Sequence, residues 1–363
     1  MSTRAATLTG PRAALRFGWM GVVGVSLALG GAFGLAHRGA AQEPLVVTAG
    51  GSDGTALVQA FLPGALTVET GSEVRFLVGS SVPQTVTLGD GPADITAADW
   101  PVSGWSDLVG DSQDPVDMGV VAWVGDNFLN TGPMPVGSTA AVRFMVPGTF
   151  EVESVVSPGM TALVTVVDPG TEPVTTLDEA DAAAQATLDD LLGRADALRE
   201  STAASVESIT ASDGTTTWNI RADAVTVAGP VAGGGTGYLE LLEFVPATLV
   251  IAPGDTVHWT ARGRHTVAFP ALGQDPSSID PETPATTDET YDGSRLATSG
   301  PLNAAVGSPS GFTLTFPTEG TFPYVCLDHQ GIGHVGTIQV GEASAAGSPE
   351  PASPDAPASP DVG

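Results

Sequence analysis

Apolar residues recur at every second position in short runs along this chain. Leu249, Ile251, Val257 and Trp259 stand at even spacings around a Pro253-Gly254 turn, and Phe312, Leu314 and Phe316 do so ahead of the Gly320 turn. A period of two puts alternate side chains on one face of a strand, so these runs predict half-buried β-strands. Several such runs between Gly/Pro turns predict a β-sandwich. One stretch departs from this period. Leu177, Ala180, Ala184, Leu188, Leu191, Leu192, Ala195 and Leu198 recur at spacings of mostly three and four behind Thr176-x-x-Glu179, a capping box. They predict an amphipathic helical linker over 175–207 that packs on one or both sandwiches, with Asp190 and Arg194 spaced to pair one turn apart.

The strand patterns on either side of that linker repeat. Phe61-Leu62-Pro63, Leu66-Thr67-Val68, Gly71, Val74 and Phe76 return as Phe244-Val245-Pro246, Leu249-Val250-Ile251, Gly254, Val257 and Trp259, at a constant offset of 183. Gln84-Thr85-Val86 parallels His265-Thr266-Val267, Gly148-Thr149-Phe150 parallels Gly320-Thr321-Phe322, and Val164-Thr165-Val166 echoes Thr337-Ile338-Gln339-Val340. The copies are domain-sized, 45–167 and 215–341, which agrees with the roughly two domains expected of a 363-residue chain. The Gly-rich 229–237 segment reads as a flexible joint; it lacks the Lys and following helix of a phosphate loop. Residues 271–303 read as a polar, acidic insertion. The Ser/Pro/Ala-rich 344–363 has almost nothing to bury and predicts a disordered tail.

Composition adds a compartment. All 12 basic residues are arginine, against 41 acidic residues, for a formal net charge of −29. That excess argues against nucleic acid or an anionic membrane surface as partner. Arg4, Arg12 and Arg16 precede an uncharged run from Phe17 to Ala36 and small residues at Gly39-Ala40-Ala41. This is the pattern of a secretory signal peptide, or of a signal anchor if it is not cleaved, over residues 1–42. Either way the rest of the protein is expected outside the cytoplasm, extracellular, periplasmic or anchored to the outer face of the membrane. There a single cysteine, which can form no intrachain disulfide, needs another use, and metal ligation is a good one.

Cys326 lies in Tyr324-Val325-Cys326-Leu327-Asp328-His329-Gln330-Gly331-Ile332-Gly333-His334. A thiolate and an imidazole three residues apart on a tight loop can converge on one metal. His265, from a distant strand, closes a His₂Cys set, and His334 is positioned as a fourth ligand. A soft thiolate with two imidazoles and a weak axial group suits copper in an electron-transfer site, while zinc also accepts His/Cys sets. His258, beside Trp259, points to the opposite face of its strand and reads as structural.

With these residues in view, 237–341 resembles a plastocyanin/azurin-type blue (type 1) copper domain of the cupredoxin family. The resemblance rests on the strand pair around Pro253-Gly254-Asp255, on His265, and on the Cys326-x-x-His329-Gln-Gly-x-Gly-x-Val-Gly loop. It implies an all-β fold of two Greek-key cupredoxin-like sandwiches joined by the helical linker. It also implies one copper ion, Cu(I)/Cu(II), on His265, Cys326 and His329. The family usually has Met at the axial position where His334 stands, so either His334 ligates or it points to solvent; ligation is the reading preferred. In the first copy Gln84, Ser154 and Ser157 occupy the three ligand positions, which predicts a sandwich without metal and gives Met160 a packing role. The implied function is electron transfer to redox proteins docking near the copper, not enzymatic catalysis. Copper storage, delivery or sensing is the alternative. A copper oxidase or nitrite reductase needs further histidines, and only His258 remains.

Overall fold

The computed structural model describes residues 43–90, 114–171, 173–205, 207–304 and 309–341. The signal or anchor segment, the C-terminal tail and part of the first repeat lie outside the described residues. Among the described residues no helix is long and apolar enough to cross a membrane.

The first repeat supplies β1 (Leu45–Asp53), β2 (Ala56–Leu62), β3 (Ala65–Glu69), β4 (Glu73–Val78), β5 (Thr87–Leu88), β6 (Asp117–Trp123), β7 (Leu129–Asn130), β8 (Thr139–Phe144), β9 (Gly148–Ser154) and β10 (Met160–Val167). Helices α1 (Leu177–Leu192) and α2 (Ala195–Ala204) follow. The second repeat supplies β11 (Ser208–Thr210), β12 (Thr216–Arg221), β13 (Ala224–Val225), β14 (Gly229–Pro230), β15 (Thr236–Leu241), β16 (Thr248–Ile251), β17 (Thr256–Thr260), β18 (Ala268–Phe269), β19 (Ala297–Thr298), β20 (Gly311–Thr315), β21 (Gly320–Val325) and β22 (Val335–Val340).

The two repeats pair their strands alike. β1 runs parallel to β4 and β3 parallel to β10, with β9 antiparallel to β10. In the second repeat β12 runs parallel to β17 and β16 parallel to β22, with β21 antiparallel to β22. The second repeat forms a four-stranded and a five-stranded sheet, whereas the strands of the first are joined with β13, β14 and β15 into one continuous 13-stranded sheet, β15 lying between β2 and β10. Inward residues alternate along the strands, and β10 alternates buried and half-buried at every position. The first core gathers Phe61, Phe76, Phe144 and Met160. The second centres on fully buried Trp259, with Phe269 at 5.6 Å and Tyr324 at 5.4 Å between ring centroids.

The seam between the repeats is a β-pairing that the sequence does not announce. β2 and β15 run antiparallel, with Leu57 opposite Glu240, Val58 opposite Leu239, Ala56 opposite Leu241 and Gln59 opposite Tyr238. Under the offset of 183, Leu57 is the counterpart of Glu240, and each of the other pairs maps onto another pair of the same ladder. Gln59–Tyr238 maps onto the Leu242 N–H to Thr55 carbonyl bond at 2.9 Å. The repeats therefore meet across a local two-fold axis at Leu57 and Glu240. One face of this seam buries Val58, Ala60, Leu239 and Leu241 with Leu191 and Ala195 of the helices.

The linker is two helices rather than one, broken at Gly193, and the predicted capping box of Thr176 and Glu179 is formed. Leu177, the first residue of the predicted stripe, is 39% exposed rather than buried. The flexible joint expected at 229–237 is instead a tight hairpin: Gly229 and Pro230 pair with Gly237 and Thr236, and Gly233, Gly234 and Gly235 all take positive φ. A Cβ on Gly235 would stand 2.3 Å from the Thr161 carbonyl oxygen, so the glycines serve close packing rather than mobility. The 271–303 insertion is likewise partly internal, since Tyr291 and Ala297 enter the second core.

Candidate metal centre

Two loops of the second repeat, the one after β17 and the one between β21 and β22, meet at one end of the sandwich. His265 follows β17 and is pinned by a two-way backbone bridge to Leu302 (3.0 and 2.7 Å). Cys326 follows the last residue of β21, His329 opens a short turn, and His334 precedes β22. The loop closes on itself: Cys326 N–H donates to the His334 carbonyl at 3.0 Å and His329 N–H to the Cys326 carbonyl at 3.2 Å. Gly333 makes the reversal possible at φ +97°, in the left-handed region.

The structure brings all four sequence-predicted residues together. One ligand atom from each of His265, Cys326, His329 and His334 lies within 4.8 Å of the others. Nδ1 of His265 is 3.8 Å and Nδ1 of His329 3.5 Å from the Cys326 Sγ. His334 does not point to solvent: it is fully buried, packs on Phe244 at 4.2 Å between centroids, and neither of its ring nitrogens has a hydrogen-bond partner. His329 alone among the four is partly exposed. His258 stands apart, bonded through Nδ1 to the Thr313 hydroxyl at 2.8 Å.

Charges around the sulfur favour metal. Burial by itself raises the Cys326 thiol, but the His265 and His329 nitrogens in contact with the sulfur, with the His334 imidazole beside it, outweigh burial and hold the group far below the ordinary thiol range, as a thiolate. Burial pushes the His265 imidazole down, yet Asp223 and the thiolate raise it to about 9. His334 is lowered, chiefly by burial, and is held neutral. A buried thiolate facing three imidazoles, with both ring nitrogens of His334 left without a hydrogen-bond partner, is a donor set that a soft cation satisfies. It fits copper.

Residues that the motif did not reveal support the donors. Asp223, just after β12, is buried; its Oδ2 accepts the N–H groups of Arg262 and Gly263, both at 2.8 Å. The same oxygen lies 3.3 Å from His265 Nε2, off-line for a strong hydrogen bond but close enough to fix Nδ1 as the nitrogen facing sulfur. Thr266 N–H points at Sγ at 3.4 Å and its hydroxyl accepts from Leu327 N–H at 2.6 Å. The repeat contained a signal for Thr266, because Thr85 stands beside Gln84. Asp223 carried none. On the far side, Arg199 of α2 holds Glu243 bidentately (2.9 and 2.7 Å), and Thr55 of the first repeat bonds the same carboxylate beside Gly333.

The first repeat keeps this frame without the donors. Ser154 pairs with Met160 as Cys326 does with His334, and Thr85 N–H reaches Ser154 Oγ at 3.3 Å as Thr266 reaches the sulfur. Gln84, Ser154 and Ser157 are buried and bond one another: Ser154 donates to Gln84 Oε1 at 2.8 Å, and the Ser157 hydroxyl is shared between Gln84 Oε1 and Gln59 Oε1, both at 3.1 Å. Met160 occupies the place of His334 and packs in the core.

Residues 234–341 match the family described as copper binding proteins, plastocyanin/azurin family. No curated protein matches the chain. Among solved structures, oxidised plastocyanin from Dryopteris crassirhizoma is 18% identical, covering 34% of this chain and 99% of its own, at a TM-score of 0.21. A purple cupredoxin from Nitrosopumilus maritimus is 22% identical over 34% of this chain and 98% of its own, at 0.19. A reduced mutant amicyanin is 20% identical over 28% and 74%, at 0.20.

Proposed function

With residues 234–341 a plastocyanin/azurin-type copper-binding domain, we propose that this protein is a one-electron carrier working outside the cytoplasm. His265, Cys326 and His329 would hold one copper ion, with His334 as the fourth ligand. When bound, copper supplies the chemistry by cycling between Cu(II) and Cu(I). The observation that carries the reading is the convergence of a buried thiolate and three imidazoles within 4.8 Å. The rest of the work is done by the chain. Backbone bonds at Leu302 and across the Cys326–His334 loop fix the donors before metal arrives, so little rearrangement accompanies a change of charge. Burial of Cys326, His265 and His334 excludes water. The partly exposed His329 is the edge at which a redox protein would dock. Arg264, paired with Glu282 (2.5 Å) and Asp328 (3.3 Å), ties the acidic 271–303 segment to that edge. A basic redox partner is therefore favoured, with long-range attraction speeding encounter.

The test is spectroscopic. The copper-loaded chain should show an intense thiolate-to-copper band in the visible that bleaches on reduction and returns on oxidation. Persistence of that band in Cys326→Ser would sink the assignment, as would its absence from the native protein.

A further inference from the structure

We propose that the donor-free pocket of the first repeat is a positioning element for the copper centre of the second, acting through Gln59 and Glu240 on the charge behind His265. The proposal rests on the copper reading above.

The strand alternation that sends Val58, Ala60, Leu239 and Leu241 under the helices turns Gln59 and Glu240 to the opposite face of the β2–β15 seam. There a directed chain of hydrogen bonds runs from the first repeat into the second. Ser154 donates to Gln84 Oε1, and the Ser157 hydroxyl lies 3.1 Å from both Gln84 Oε1 and Gln59 Oε1; Gln84 Nε2 donates to Gln59 Oε1 at 2.8 Å; Gln59 Nε2 donates to Glu240 Oε2 at 3.0 Å. Each donor points toward the carboxylate, and Gln59 and Gln84 are buried, so the bonds polarise one another in a poorly solvated setting. The other Glu240 oxygen faces Gly263, on the outer side of His265. A Cβ placed on Gly263 would stand 3.8 Å from Glu240 Oε1, 3.8 Å from Asp223 Oδ2 and 3.6 Å from His265 Nε2. Two carboxylates and the outer nitrogen of the buried ligand thus gather around one glycine.

A pocket that had merely been filled after losing its ligands explains the bonds among Gln84, Ser154 and Ser157. It accounts for the bonds that Gln59 accepts from Ser157 and Gln84, but not for the bond that Gln59 donates onward to Glu240. Under the local two-fold, the counterpart of Gln59 is Leu242 and that of Glu240 is Leu57, so the polar bridge runs one way only, toward the repeat with the thiolate. A carboxylate fixed near a metal favours its more positive oxidation state, because the attraction grows with the ion's charge. Holding Glu240 in place therefore lowers the reduction potential, and this gives the first repeat a part in the redox chemistry without a metal of its own.

The experiment is a redox titration of the copper-loaded full chain, followed on its visible band. The proteins are the native chain, Glu240→Gln, Gln59→Met and the double variant, with metal-free melting temperatures alongside. Both single variants are expected to raise the midpoint potential while the band stays in place. Gln59→Met should add nothing in the Glu240→Gln background, because it acts through that carboxylate. If Gln59→Met does not fold, Gln59→Asn keeps the polarity but is too short to hold both Gln84 and Glu240, and is read in the same way. Unchanged potentials, additive shifts, or a lowered melting temperature without a shift in potential would overturn the proposal. A native chain with no thiolate band would instead overturn the copper reading.

Discussion

Replacing Asp223 by Asn isolates the carboxylate's charge, since the amide oxygen can stay where Oδ2 now accepts Arg262 N–H and Gly263 N–H at 2.8 Å. Bonds to a charged acceptor contribute about 1.5–3 kcal/mol, against about 0.5–1.5 for neutral ones. Two such bonds put the loss near 2 kcal/mol for the metal-free chain. The sign with pH follows: burial raises this carboxyl, but His265 and the two amides outweigh it and hold it below the ordinary range. The stability it contributes is thus present above about pH 4, the ordinary value, and is lost as pH falls through the depressed one. Metal binding suffers separately, because an amide at 223 can no longer pair as an anion with His265 Nε2. Groups that orient a ligating imidazole typically account for about 10–100-fold in affinity. Chelator competition at pH 7 should show a loss in that range, and denaturant unfolding of the metal-free protein the 2 kcal/mol. An affinity within about threefold of native, with unchanged stability, would refute the role assigned to Asp223.

Three further outcomes are expected. Because imidazole hydrogen bonds depress the Cys326 thiol despite its burial, the metal-free chain should show ultraviolet thiolate absorption at pH 6, absent in Cys326→Ser; absorption that grows in only above pH 8 contradicts the electrostatics. His334→Met should raise the reduction potential and shift the visible bands, since a thioether donates less to copper than an imidazole, whereas an unchanged spectrum removes His334 from the metal. The triple variant Gln84→His, Ser154→Cys, Ser157→His recreates the second repeat's donors around Met160 on an equivalent frame, and should bind a second copper per chain; a stoichiometry that stays at one means the frame itself has changed.

The donor set was legible because its spacing is short and its residue types are scarce: one cysteine, and three histidines at positions where backbone loops return. The sandwiches were legible because burial on one face enforces a period of two. What escaped was set by contacts between repeats. Glycines at 233–235 look like a joint in sequence, yet they serve the approach of one backbone to another at Gly64 and Thr161, which no local pattern encodes. Tyr291 sits in a polar stretch and gives no periodic signal, yet it fills the second core. Asp223 resembles any acid in an acidic chain until the fold buries it against His265. The position of Met160 was legible as packing, but its equivalence to His334 appears only from the register opposite Ser154.

The two repeats show which part of such a site the fold dictates. Backbone geometry is nearly indifferent to the donor set: the bridge at Gln84 or His265, the threonine behind it and the turn after Ser154 or Cys326 are alike in both. What the fold does dictate is that these positions are buried, so their side chains must be satisfied by something. In the second repeat a thiolate and imidazoles are left for a cation. In the first, Gln84 has both a donor and an acceptor, so it can close the pocket with two serines and still pass a hydrogen bond outward. Apolar residues could have filled the same space with no desolvation to offset. The polar groups retained there satisfy one another and carry one bond outward, which leads through Gln59 to Glu240.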